Sequence, residues 1–173
     1  MIKDIMRSQH EPQVFSAVIQ NSIMTGEILC EISNNYLITK TSLMPDLSWD
    51  NLRIPEISIY GMTIIGFPHL RKETYDNWIS INNQPSFLTP LMTNSQVTLV
   101  SKEELQKLGN GTDYSWSMIY TLTRPGFSQD FSQALIQITG YCAAIPCSYG
   151  NLLYLESTGD QWQVKSSYGL YNQ

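Results

Sequence analysis

The sequence predicts an α+β fold: a curved antiparallel β-sheet whose N-terminal and middle helices pack on one face. Three observations carry this. Val14, Phe15, Val18, Ile19 and Ile23 recur at the 3.6-residue period of an amphipathic helix. The last third of the chain changes to period two, in four short alternating runs. Turns, and not helices, join those runs, which is the pattern of an antiparallel meander. Helices early and strands late place the chain in the α+β class.

Composition sets the frame for these elements. The chain has 173 residues, which suits one domain over 1–173, and a chain of this size buries about 70% of its unfolded surface. With 42% hydrophobic and 11% aromatic residues it can build a core. Only 14% of residues are charged, so Ser, Thr, Asn and Gln carry much of the surface. A net charge of −5 argues against a nucleic-acid partner, which would need clustered Lys and Arg. No stretch has the ~18 consecutive apolar residues of a membrane span.

The first helix is predicted over 12–24, with Pro12 at its first position, where a missing N–H costs nothing, and Gly26 as its stop. Ile28, Cys30 and Ile32 then alternate with polar neighbours, and Asn34-Asn35 suggests a tight hairpin turn into 36–41. Residues 43–56, with Pro45, Asp46, Asp50 and Pro55, read as loop, and 57–65 as a short strand interrupted by Gly61. A second helix is predicted over 69–79 from Leu70, Tyr75, Trp78 and Ile79, ending at Asn82-Asn83-Gln84-Pro85. Val97, Leu99 and Val100 suggest a strand. It leads into Ser101-Lys102-Glu103-Glu104, a capping box in which hydroxyl and carboxylate each take the other residue's N–H, with Gly109 as the stop. The meander strands are 118–123, 134–141, 152–156 and 162–166, the last two flanking the turn Thr158-Gly159-Asp160. Tyr168 to Tyr171 reads as an edge strand or a frayed end.

Catalytic patterns are missing from the sequence. No nucleophile elbow, phosphate-cradling glycine loop or zinc-protease motif is present. A Ser or Cys nucleophile needs a base, and only His10 and His69 are available, both expected to be exposed. Glu103 and Glu104 are explained by a helix start, and Glu27 and Glu31 by pairing with Lys40 across the hairpin. Asp46 and Asp50 fall short of a calcium site. No cofactor and no metal site is implied. Aromatic side chains are the remaining resource. The four Trp and ten Tyr could line a sugar-binding or peptide-binding surface, with Trp49, Trp116, Tyr141 and Tyr149 as the candidate ligand or partner surface, while most of these rings are expected to be core or half-buried. Asn110-Gly111-Thr112 fits the glycosylation triplet.

Of three cysteines, Cys30 reads as a small core residue. Cys142 and Cys147 flank Ala143-Ala144-Ile145-Pro146, a spacing that suits a disulfide across a turn or a pair of free thiols, while a zinc site would be two ligands short.

Arg124-Pro125-Gly126-Phe127, Gln133-Ala134-Leu135-Ile136, Gly140-Tyr141-Cys142 to Cys147, Leu152 to Glu156 and Gly159-Asp160-Gln161-Trp162-Gln163-Val164 carry a further signal. Together they resemble a group of bacterial proteins described as secreted proteins or lipoproteins, without an assigned function. Val14 to Ile19 is similar to that group's opening. Pro125 stands where the group usually has Val. The resemblance implies the same fold and an extracytoplasmic location, as does the cysteine pair. Residues 1–7 do not read as an export signal, which points instead to the cytoplasm. The resemblance supplies no catalytic residue.

The sequence therefore suggests a non-catalytic binding or protein-interaction module, inhibitor-like or immunity-like, whose acidic charge would steer a basic partner. The alternatives are a small hydrolase or isomerase with a pocket between helix and sheet, and an exported structural protein stapled by Cys142–Cys147. The partner would be a protein or a small ligand.

Overall fold

A computed structural model describes residues 2–24, 34–38, 47–54, 57–59, 62–64, 66–88, 97–108, 117–143 and 146–172. Their helices are α1 (Ile2–Met24), α2 (Trp49–Arg53), α3 (Lys72–Ile81) and α4 (Lys102–Leu108). The strands are β1 (Asn34–Ile38), β2 (Ile57–Ile59), β3 (Met62–Ile64), β4 (Thr98–Val100), β5 (Ser117–Leu122), β6 (Gly126–Phe127), β7 (Gln133–Cys142), β8 (Ser148–Ser157) and β9 (Trp162–Asn172). The predicted strand at 26–32, Cys30, Glu27, Glu31, Lys40, Asp46, Gly109 and the triplet 110–112 lie outside the described residues.

The main sheet has seven strands in the order β4-β1-β5-β7-β8-β9, with β6 beside β7, and β2 and β3 form a separate hairpin. The predicted meander is present: β5, β7, β8 and β9 pair in turn, all antiparallel. The sheet is nevertheless mixed, which corrects the purely antiparallel expectation. β1 runs parallel to both β4 and β5. Asn34 and Asn35 are no hairpin turn; they pair with Ser117 and Met118. An Asn pair signals a turn locally, whereas the partners of β1 arrive far later in the chain.

The helices also cover both faces, not one. α1 packs Val14, Phe15, Val18 and Ile19 against Tyr120, Leu122, Ala134, Ile136, Ile138, Leu153 and Leu155. The alternate residues Leu135, Leu152 and Tyr154 meet Trp78 and Leu70 with Leu52 of α2 on the opposite side. Leu105 of α4 joins Tyr36, Ile38, Val100 and Ile119 there. β7 is accordingly buried continuously from Gln133 to Ile138, as a doubly covered strand must be.

β9 changes face part-way. Leu155 pairs with Val164 but Tyr154 with Ser166, so Lys165 is the extra residue of a β-bulge. Before the bulge Trp162 and Val164 join the α1 cluster. After it Tyr168 and Leu170 join the opposite one.

α1 begins ten residues before the predicted start and contains Pro12. Proline removes one helical N–H, and tertiary contacts hold the early turns in its place. Arg7 Nη1 donates to Glu11 Oε1 at 3.0 Å and to the Pro125 carbonyl at 2.9 Å, and Arg7 Nη2 donates to Asn77 Oδ1 at 2.7 Å. Arg124 reaches both oxygens of Glu11, from Nη2 at 2.7 and 2.9 Å and from Nε at 3.0 Å. Asn82, capping α3, accepts from the Arg124 N–H at 2.7 Å and donates to its carbonyl at 2.8 Å. The segment 124–127 is thereby gripped between α1 and α3.

Two smaller corrections concern 43–65. A helix, α2, lies in the predicted loop, capped where Asn51 N donates to Ser48 Oγ at 3.3 Å. The single strand predicted over 57–65 is the β2–β3 hairpin.

Candidate functional site: the groove between α1 and β9

The four aromatic residues proposed as one surface do not converge. Trp49 packs on Tyr75 at 5.5 Å with Lys72 and Arg53 over its ring, so cations of the chain itself occupy it. Tyr141 is 38% exposed and pairs with Ile119 on the α4 side. Tyr149 lies on the α1 side, where its ring covers Gly140: a Cβ there would stand 2.6 Å from it. Trp116 lies outside the described residues. Residue types alone cannot say which face of a sheet each ring takes.

The cysteine pair is well placed. Cys142 and Cys147 lie at disulfide distance, Cα–Cα 5.3 Å, and the Cys142 N–H donates to the Cys147 carbonyl at 3.0 Å. Several candidate acid–base groups have structural duties. Glu104 Oε2 accepts from the Ser101 N–H at 2.7 Å while the Glu104 N–H donates to Ser101 Oγ at 3.1 Å, the predicted capping box. The Ser101 N–H holds the Glu104 carboxyl below its ordinary pKa. Asp50 sits in the first turn of α2. His69 is exposed, and its carbonyl accepts from Gln133 Nε2 at 3.0 Å. Among the described residues no group of three or more His, Cys, Asp or Glu side chains could hold a metal ion.

A groove of about 420 Å³ lies between α1 and the β8–β9 turn, lined by Gln13, Ser16, Ala17, Gln20, Asp160, Gln161 and Trp162. Its helix wall follows from spacing: residues 13, 16, 17 and 20 form one stripe beside the buried 14/15/18/19 face. The opposite wall comes from the hairpin loop, where Gly159 takes φ 79° and turns the chain. Trp162, 6% exposed, is its base. The lining supplies three carboxamides, a hydroxyl and one carboxylate. These side chains donate and accept hydrogen bonds, and only Asp160 is ionisable. Sequence reasoning missed Gln13, Ser16 and Gln20. Their polar stripe was visible, but the loop it faces lies about 140 residues away, and no local pattern reports that.

Beneath the groove, His10 continues the same helix stripe, and the expectation that it is exposed fails. It sits inside α1 and is partly buried. The Trp162 Nε1–H donates to His10 Nδ1 at 3.1 Å, with the rings edge to face at 5.6 Å. Phe131 stacks on the imidazole ring at 5.1 Å. Phe131 adopts φ 55°, a left-handed conformation uncommon for a bulky residue. The turn holds it there: Asp130 Oδ1 accepts from Ser128 Oγ and Ser132 Oγ, each at 2.7 Å, and from the Ser132 N–H at 3.1 Å. Arg71 donates to Asp130 Oδ2 at 2.8 Å. Arg71 and these serines keep the Asp130 carboxyl well below the usual carboxylate range.

No protein-family model matches the chain, and neither does any curated protein or solved structure. The site therefore stands on its own chemistry. A second groove, of about 300 Å³, lies beside α4 between Ile38, Lys102, Leu105, Gln106 and Tyr141. It is smaller, and its apolar side chains belong largely to the α4 cluster.

Proposed function

We propose that this protein is a non-catalytic interaction module that takes an extended, neutral or basic peptide segment of a partner protein in the α1–β9 groove. The observation that carries this reading is the convergence of Gln13, Gln20 and Gln161 with Ser16 over the start of β9. Carboxamides offer a donor and an acceptor each, which matches the alternating N–H and C=O groups of an extended backbone. β9 ends the strand order of the sheet, and edge strands are a common seat for added peptide strands. Asp160 and the net charge of −5 favour a basic segment.

The test is selection of a displayed library of extended peptides on the intact protein. Selected peptides should be neutral or basic and should lose about tenfold in affinity on Gln13→Ala with Gln161→Ala, the equivalent of one to two neutral hydrogen bonds. Asp160→Asn should relax the preference for basic residues. No selected peptide, or peptides indifferent to all three substitutions, would overturn the reading.

A further inference from the structure

We propose that His10 is a pH-operated latch on this groove: the neutral imidazole holds the Trp162 indole in place, and the imidazolium releases it. The inference rests on the groove reading above and adds its regulation.

The hydrogen bond fixes the protonation state. An indole N–H only donates, so Nδ1 of His10 must carry a lone pair, and the ring proton resides on Nε2. A proton taken from solvent at Nδ1 turns that acceptor into a donor. Two N–H groups then face each other at 3.1 Å, and the indole must turn away or lose its partner. Trp162 is the base of the groove, so its displacement changes the shape offered to a ligand.

Among the described residues, no ion pair or hydrogen bond from a carboxylate offsets the added charge on His10. Arg7 and Glu11 on α1, Asp130 beside Phe131 and Asp160 in the β8–β9 turn are the nearby charged groups on the elements packed around it. Arg7 lies over the Phe127 ring at 5.1 Å and is bonded to Glu11, Asn77 and Pro125. Glu11 is engaged by both arginines, and Asp130 by Arg71. No hydrogen bond or ion pair joins any of them to His10. Its direct ring neighbours are Phe127, Phe131 and Trp162. Burial among them lowers the His10 pKa, so the transition falls below the ordinary histidine value of about 6.5.

The test follows the Trp162 indole N–H by nuclear magnetic resonance from about pH 8 to about pH 4.5, a span that brackets histidine titration. The resonance is assigned with Trp162→Phe. In the wild type it should shift in one step with the same midpoint as the His10 ring protons. In His10→Gln, whose carbonyl still accepts a hydrogen bond but does not titrate, the step should vanish. His10→Phe should show the released position at every pH. Affinity for a selected peptide should change at least threefold across the step in the wild type and stay flat in His10→Gln. An indole that ignores pH while His10 titrates, or a step retained in His10→Gln, would overturn the latch. The indole readout needs no peptide, so a failed groove reading and a failed latch give different results.

Discussion

Gly126 lies against the backbone of Trp78, so that a Cβ on residue 126 would stand 2.4 Å from the Trp78 Cα, Cβ and N. Side-chain-free contact is what lets β6 pass under α3, while the Trp78 Nε1–H reaches Thr123 Oγ1 at 3.0 Å. Gly126→Ala should therefore cost more than the ~1–3 kcal/mol of ordinary overpacking, because the obstacle is backbone. Gly159→Ala is the control. Its added methyl meets nothing within 4 Å, but φ is 79°, so the expected loss is about 1–2 kcal/mol. Urea unfolding of both variants checks the order, and a Gly126→Ala protein as stable as Gly159→Ala contradicts it.

Glu11 is 1% exposed and joins Arg7 and Arg124. Removing one member of a buried ionic group costs about 3–5 kcal/mol. Both arginines keep some solvent contact, so Glu11→Ala belongs near the lower end, about 3 kcal/mol. Arg124→Lys should lose about 1–2 kcal/mol, because an ammonium cannot bridge both carboxylate oxygens. A Glu11→Ala variant within about 0.5 kcal/mol of wild type by denaturant unfolding would assign the network no structural weight.

A bond between Cys142 and Cys147 would close a short loop, for which chain entropy gives about 2 kcal/mol. Reductant should lower the unfolding free energy by that amount in the wild type and leave that of the Cys142→Ser/Cys147→Ser variant unmoved. Alkylation without reductant should leave both sites unlabelled. Full labelling of the native protein at both positions would show free thiols.

Lys165 is exposed and is the extra residue of the bulge in β9. Deleting it makes Val164 and Ser166 neighbours, which still oppose Leu155 and Tyr154, so the strand becomes regular and Tyr168 keeps both its partner Leu152 and its face. Lys165→Ala should be nearly neutral, and the deletion should keep a cooperative transition. Loss of that transition on deletion, in thermal unfolding followed by circular dichroism, would show that the rest of β9 does not hold its register once the bulge is gone.

Where each element's cause is local, the sequence announces it. The 101–104 box, the 75/78/79 stripe of α3 and the four alternating runs all reappear, although α3 starts at Lys72 and leaves Leu70 and His69 ahead of it. Where the cause is a partner elsewhere, it is silent. Nothing near residue 34 reports that β1 inserts between β4 and β5, and nothing near Pro12 reports that Arg124 anchors the turn before it. The two-faced burial was half visible, since Ala134 to Ile138 is nearly continuously apolar, with Gln137 its one polar member. The groove escaped because its walls meet only after folding.

The pairing of β1 with β4 and β5, and of α1 with β9, has a consequence for how this chain is made. A growing polypeptide leaves the ribosome N-terminus first, yet the early strand docks on segments from the second half of the chain and the early helix on strands that emerge last. Their oily sides must wait uncovered through most of synthesis. The nascent chain is thus a natural client for holding factors, and truncated products should be swept into aggregates or degraded, with no half-built form able to persist.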